Sequence, residues 1–317
     1  MNRTWAIQRI VFLIVVQGLW SLPADADTRP NVLLIAVDDL NDWVGYLGGH
    51  PQSVTPKLDR LAKQSTVFTN AHCQGTMCNP SRISFLWGMR PSTTGFYNNR
   101  YGVENEKQFL KQHTSLPAYF RKHGYHILTS GKIFHTSEPG NYSHVKGPRP
   151  GFTAQGKDKF IHSDPKRWHK IWDFGPQEYA EEAFVDHVVA SWAVEQLERK
   201  MKSPFFMSVG FYRPHVPFFP PKRVYDKFDN IQLPRVKADD WDDIPEAARE
   251  LTLGNPKIPT HDWMQQDNRW EEAVHTYLAS INWMDEQLGR VLDALDKGPH
   301  ADNTIVVLLS DHGYHLG

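Results

Sequence analysis

Four apolar runs in this chain each stop at a cluster of charged or imidazole side chains. Asn31–Val37 (NVLLIAV) leads into Asp38-Asp39, and Tyr125–Ser130 into Gly131-Lys132-Ile133-Phe134-His135. Pro204–Phe211 leads through Tyr212 into Arg213-Pro214-His215, and Thr304–Ser310 (TIVVLLS) into Asp311-His312-Gly313. Continuous apolar runs suit strands buried on both faces. Helical segments lie between them. Thr55 with Pro56 reads as an N-cap and first helical residue, and Asn79 with Pro80 repeats that signal, predicting a helix over 80–89. Ser115–His123 and Tyr179–Lys200 also read as helices. Trp270, Val274, Tyr277, Leu278, Ile281, Met284, Leu288, Val291, Leu292 and Leu295 form one apolar stripe of a long amphipathic helix, explained by core packing alone. Alternating strands and helices predict an α/β fold with a mainly parallel central sheet and helices on both faces. In open α/β sheets, sites form outside the carboxyl ends of the strands, so the four polar clusters should meet at one edge.

Other segments are less regular. Val67–Ala71 reads as a second short strand, 139–177 as a long loop, and the proline-rich stretch 213–262 as irregular structure on the substrate side. The seven-residue run ending at Ser310 reads as a central strand, yet the chain stops at Gly317. That combination predicts that 27–317 is the N-terminal, truncated part of a longer catalytic domain.

Within a regular strand, Asp38 and Asp39 would point to opposite faces. Both can face one centre only where the strand ends, which is where they sit. If Asp311 joins them, each pair of carboxylates about 4 Å apart costs about 4 kcal/mol at an effective dielectric of about 20. A cation removes that cost, and carboxylate oxygens favour a hard ion such as Ca²⁺ or Mg²⁺. For the Asp-Asp pair alone, capping of a turn is an equal alternative. Cys78 lies beside the expected helix N-terminus at Pro80, a place that favours anions. As a plain thiol it is a poor partner for a hard cation. A buried structural thiol is the alternative reading.

Cys78 opens the run C-N-P-S-R-I-S-F-L-W-G, which has the form C-x-P-S-R-x-x-x-L-x-G. This run resembles the signature of type I sulfatases, in which the cysteine is oxidised to formylglycine. With N-V-L-L-I-A-V-D-D-L, G-K-I-F-H, G-F-Y-R-P-H-V-P-F and S-D-H-G, the chain resembles sulfatases of the alkaline-phosphatase-like superfamily, and among them iduronate-2-sulfatase-like enzymes. The resemblance implies that Asp38, Asp39, Asp311 and His312 surround one Ca²⁺ together with the modified Cys78. It implies that Arg82 holds the formylglycine hydrate, that Lys132 and His135 contact the sulfate and the hydrate, and that His215 sits on the sulfate or the leaving oxygen. The substrate would be a sulfated carbohydrate, as in glycosaminoglycan or polysaccharide degradation. A formylglycine-generating or other sulfatase-maturating enzyme would be a partner. The family carries a further lysine shortly after D-H-G, beyond Gly317, so little activity is expected of 27–317 alone. Two other readings stand beside this one: a phosphonate or phosphate ester hydrolase of the same superfamily, and an inactive fragment that binds sulfated glycans.

The N-terminus reads as a secretory signal peptide over 1–26: Arg3 and Arg9, an apolar core over 10–20, and Ala24-Asp25-Ala26 as the cleavage site. That core is about half of the ~20 residues a membrane span needs. A secreted or periplasmic protein without a stable membrane anchor is therefore expected. A net charge of −1 across 317 residues gives no basic excess for nucleic acid. Two cysteines, Cys73 and Cys78, are not a disulfide framework, and Cys73 reads as a small buried hydrophobe. His50, His72, His113, His123 and His144 belong to no motif. Trp168, Trp172, Trp241 and Trp263 either line a sugar site or pack ordinarily, with packing the stronger reading.

Overall fold

A computed structural model of the chain describes residues 29–100, 108–109, 112–153, 158–162, 171–202, 204–237, 239–254 and 258–317. The signal-like segment and Trp168 lie outside them. Five strands form one sheet: β1 (Asn31–Val37), β2 (His126–Gly131), β3 (Val145–Lys146), β4 (Phe205–Phe211) and β5 (Thr304–Ser310). Their order is β3-β2-β4-β1-β5, and every pairing is parallel. The helices are α1 (Pro56–Lys63), α2 (Cys78–Trp87), α3 (Pro91–Thr94), α4 (Leu116–Lys122), α5 (Val185–Leu197), α6 (Lys222–Tyr225), α7 (Glu246–Leu253), α8 (His261–Gln266) and α9 (Trp270–Lys297).

The period of two along each strand divides the core into two layers. Leu33, Ile35 and Val37 of β1 join Phe205, Met207, Val209 and Phe211 of β4 in one cluster with α5 and α9. Leu34 and Ala36 face the other way. Ala36 meets Ile83 and Leu86 of α2, and Leu34 joins Ile127 and Phe206, with Leu116 and Phe120 of α4 packed alongside. The sheet is thus covered on both faces, as its apolar runs require. The stripe of α9 is buried from Val274 to Leu295.

Register brings the polar clusters to one level. Val37 pairs with Phe211 on one side and Ser310 on the other, and Gly131 pairs with Gly210. Two glycines let β2 and β4 close this edge tightly. Gly131 has φ +71°, and a Cβ there would fall 2.0 Å from the Gly210 carbonyl oxygen. A Cβ on Gly210 would fall 2.1 Å from the Lys132 carbonyl oxygen.

Two expectations are corrected. Val67–Ala71 is no strand; two apolar residues followed by Thr69 and Asn70 are too few to bury a face, and Phe68 is 78% exposed. The proline-rich 213–262 stretch carries the short helices α6, α7 and α8. Among the described residues β5 pairs on one side, with β1. Val306 and Leu308 pack on the core, whereas Ile305 is 51% and Val307 41% exposed.

This asymmetry predicts unequal costs. Phe211→Ala, at a fully buried site, should lose about 3–5 kcal/mol, whereas Ile305→Thr should stay within about 0.5 kcal/mol. Urea unfolding of the two variants checks this, and equal losses would show that the Ile305 side of β5 is as well packed as Phe211.

Candidate active site

Beyond the ends of β1 and β5 the chain gathers three buried carboxylates. Asp38 follows β1 directly. Asp39 then adopts the left-handed conformation, φ 63°, which is uncommon for a residue with a Cβ. This turn lets two successive carboxylates serve one centre. The Tyr277 hydroxyl on α9 holds it by donating to the Asp39 carbonyl at 2.6 Å, and accepts from Asn41 N–H at 3.1 Å. Asp311 is tied to the same turn, accepting from Asp39 N–H at 3.1 Å.

The cations come from α2 and from the end of β2. α2 begins at Cys78 itself, with Met77 as N-cap, rather than at Pro80. Cys78, Ser81 and Arg82 therefore stand at i, i+3 and i+4 on one helix face. Arg82 is fully buried. Its Nη2 donates to Asp38 Oδ1 at 3.0 Å and its Nε to Asp311 Oδ2 at 2.9 Å. Its Nη1 donates to the carbonyls of Lys132 and Ile133. Lys132 Nζ donates to Asp38 Oδ2 and lies 3.3 Å from Cys78 Sγ. Ser81 donates its hydroxyl to the Asp311 carbonyl.

Electrostatics separate the three carboxylates. Burial would raise Asp38, but Lys132 and Arg82 together hold it well below the usual carboxylate range. Burial and then the charges of Asp38 and Asp311 push Asp39 well above it. Burial also raises Asp311, against the pull of Arg82. Two cations thus face three carboxylates, and Asp39 is the one without a cation. Its Oδ1 is a buried atom that accepts no well-directed hydrogen bond, although His312 Nδ1 lies 3.1 Å away. Burial, with Asp38 next, pushes the Cys78 thiol well up, so the sulfur is protonated.

The imidazoles close the site. His312 Nε2 lies 3.3 Å from Cys78 Sγ. His215 Nε2 lies 3.8 Å from Asp39 Oδ2, and its Nδ1 bonds the Val216 carbonyl. Burial lowers His215 to about 3, so its ring is neutral. Asp186 of α5 fixes the approach to it, accepting from Tyr212 N–H at 2.7 Å and Arg213 N–H at 2.9 Å. Burial, then Lys132, lowers His135 to about 4, and its Nδ1 is buried without a hydrogen-bond partner.

Asp38, Asp39, Cys78, Arg82, Lys132, His215, Asp311 and His312 are therefore joined by direct contacts. His135 is linked to them through the fields of Lys132, Asp38 and Arg82. Two groups have ligand atoms close enough for one ion: Asp38, Cys78, Asp311 and His312, and Asp39, Cys78 and His215. Together they offer three carboxylate oxygens, two imidazole nitrogens and the sulfur of Cys78. The three carboxylates, with the orphaned Asp39 Oδ1 among them, supply the negative charge that suits a hard cation. Sequence reasoning missed Ser81, Asp186 and Tyr277. Tyr277 lay in a stripe read as core alone, and Asp186 carried no motif. Trp172 is buried in the core and meets Trp263 edge to face, so packing accounts for that pair. Cys73 is exposed, not buried.

The chain belongs to the Sulfatase family, whose model matches residues 30–317. It is 37% identical to a sulfatase of Formosa agariphila over 91% of this chain and 60% of the relative. It is 33% identical to the iduronate 2-sulfatase of Mus musculus over 90% of this chain and 55% of the relative. The chain thus spans less than two thirds of the length of these relatives. A structure solved with D-glucosamine-2-N,6-O-disulfate as substrate shares the fold with a TM-score of 0.66 at 21% identity, covering 91% of this chain and 66% of that one. The phosphonate monoester hydrolase of Agrobacterium radiobacter also shares it, with a TM-score of 0.66 at 20% identity over 91% of this chain and 65% of that one.

The Arg82 bridge carries a stability prediction. Removing one partner of a buried ion pair typically costs about 3–5 kcal/mol. Arg82→Ala should lose that much in urea unfolding, and Arg82→Lys should recover only part, since an ammonium cannot span both carboxylates. Full recovery by lysine would show that charge alone, without the fork, holds the strand ends.

Proposed function

We propose that the protein hydrolyses a sulfate ester on a sulfated sugar or uronate residue of a polysaccharide, with formylglycine at position 78 and one Ca²⁺. The observation that carries this is the setting of Cys78. Its protonated sulfur stands among three carboxylates, Asp38, Asp39 and Asp311, where a hard cation would find sulfur a poor ligand and a pair of hydroxyls a good one. Similarity to iduronate 2-sulfatases supports the uronate reading.

Asp38, Asp39, Asp311 and His312 would hold the ion, which supplies positive charge for sulfate oxygens and for the oxygens of residue 78. Formylglycine at position 78, hydrated, would supply a pair of hydroxyls, an oxygen nucleophile for the sulfur of the ester that the thiol does not offer. Lys132, buried and cationic, gathers charge that develops on the sulfate oxygens. Arg82 keeps the carboxylates and the start of α2 in place. His215 is neutral in the empty site. An anionic ester beside it favours its protonated form, which then protonates the departing alcohol oxygen. His135 offers a second neutral imidazole near the sulfate.

Export through the signal-like N-terminus supports a secreted or periplasmic enzyme, matured by a formylglycine-generating partner. No described helix is long and apolar enough to cross a membrane.

Co-expressed with a maturating enzyme, the protein should carry formylglycine at position 78 in the tryptic peptide ending at Arg82. Mass spectrometry reads this, and an intact thiol under those conditions would sink the proposal. Cys78→Ala should keep the fold and lose turnover on sulfate esters. Faster turnover of a phosphonate monoester than of any sulfate ester would favour the hydrolase of that second class.

Ca²⁺ at one hundred times its dissociation constant should add about 2.7 kcal/mol to stability. Thermal melts with and without chelator measure this. Asp39→Ala should abolish the increment, and a melt unchanged by chelation would overturn the hard-cation site.

A further inference from the structure

Residues 147–152 belong to none of the polar motifs, yet they are bonded to the ends of both β2 and β4. Gly147 N–H donates to the Thr129 carbonyl at 2.7 Å. The Pro148 carbonyl accepts from Gly131 N–H and from the Ser130 hydroxyl, both at 2.9 Å. Arg149 Nη2 donates to the carbonyls of Phe134 at 3.1 Å and His135 at 2.8 Å. Gly151 N–H donates to the Tyr212 hydroxyl at 3.3 Å, and Arg213 Nη2 donates to the Phe152 carbonyl at 2.8 Å. The backbone of Phe152 is therefore held against the turn that carries His215.

Its ring is placed accordingly. Lys132 Nζ stands 4.6 Å from the ring centroid. The His215 ring lies 4.4 Å away, centroid to centroid, tilted by 31°. Tyr212 meets it edge to face at 5.5 Å. One aromatic side chain thus contacts two members of the site that come from different strands. The negative face of the ring attracts the ammonium. Its flat surface also limits rotation of the imidazole, whose Nδ1 is already bonded to the Val216 carbonyl. Nε2 is left facing Asp39.

We propose that Phe152 is a positioning residue, holding the Lys132 ammonium and the His215 imidazole in the relative placement that a tetrahedral oxyanion needs. This rests on the sulfate-ester reading above. An aliphatic side chain fills part of the volume but offers neither a quadrupole nor a flat face. Small misplacements of reacting groups can lower rates by about a hundredfold.

The experiment uses the full chain after maturation, with Phe152→Leu and Phe152→Tyr. On an aryl sulfate, Phe152→Leu should lower kcat at least tenfold with KM within threefold of wild type, and Phe152→Tyr should stay within threefold in both. In parallel, ¹⁵N spectra of the imidazole groups should show His215 as a single Nδ1–H tautomer in the wild type and Phe152→Tyr. Phe152→Leu should show a tautomer mixture. Wild-type kcat and an unchanged tautomer in Phe152→Leu would overturn the role, as would an equal loss of kcat in the leucine and tyrosine variants. Should Phe152→Leu fail to fold, Phe152→Met takes its place in both measurements. A wild type that turns over a phosphonate monoester but no sulfate ester, with the tautomer disturbed only by the aliphatic variant, would leave the positioning role standing and remove the sulfate-ester reading instead.

Discussion

The guanidinium of Arg82 is the interaction on which the site depends. Asp38 and Asp311 end two neighbouring strands, and both are fully buried. Two carboxylates in a dry environment repel each other and the fold with them. Arg82 answers both with separate nitrogens of one planar fork, at 3.0 Å and 2.9 Å. Its remaining donor reaches the Lys132 and Ile133 carbonyls. One side chain thus ties α2 to β1, to β5 and to the segment after β2. A lysine has the charge but not the geometry to do this. The position of Cys78 follows, because it stands one helical turn before Arg82 on the same face.

Backbone placement supplies the rest of the precision. Parallel register ends β1, β4 and β5 at the same level, and the glycine pair Gly131 and Gly210 brings β2 and β4 within a contact that any Cβ would forbid. The left-handed turn at Asp39 is costly for a residue with a side chain, by about 1–2 kcal/mol. It persists because Asp311 and Tyr277 bond the same turn from two other elements. Strain of this kind is typical of positions whose side chains must reach a common point. Asp186 has the parallel task at β4, where it holds two successive N–H groups of the turn leading to His215.

What could be read from the sequence was whatever depended on local pattern. Apolar runs located β1, β2, β4 and β5, and the polar residues just after them marked the site edge. The spacing of Cys78 and Arg82 carried over directly into a shared helix face. Features set by tertiary neighbours were not legible. The segment 67–71 opens with Val67 and Phe68, yet neither finds a core neighbour to pack on among the described residues, and Phe68 is 78% exposed. A period of three to four along α9 marked Tyr277 as core. Its ring is indeed buried, but its hydroxyl serves Asp39, and periodicity does not distinguish the two ends of a tyrosine. Phe152 lies in a stretch without periodicity, and only the bonds to β2 and β4 reveal its place.

The electrostatics of the pocket bear on what residue 78 has to be. Lys132 and the start of α2 favour an anion there, but burial and three carboxylates outweigh them and keep the thiol protonated. A protonated thiol is a weak nucleophile and a weak ligand. The carboxylate in need of a cation, Asp39, stands in the same pocket, so a cation drawn to Asp39 would meet sulfur at position 78. The proposed oxidation removes this conflict at its source. It exchanges one soft atom for hard oxygens, while Ser81 and Arg82 keep their bonds to Asp38 and Asp311 and so hold α2 in place.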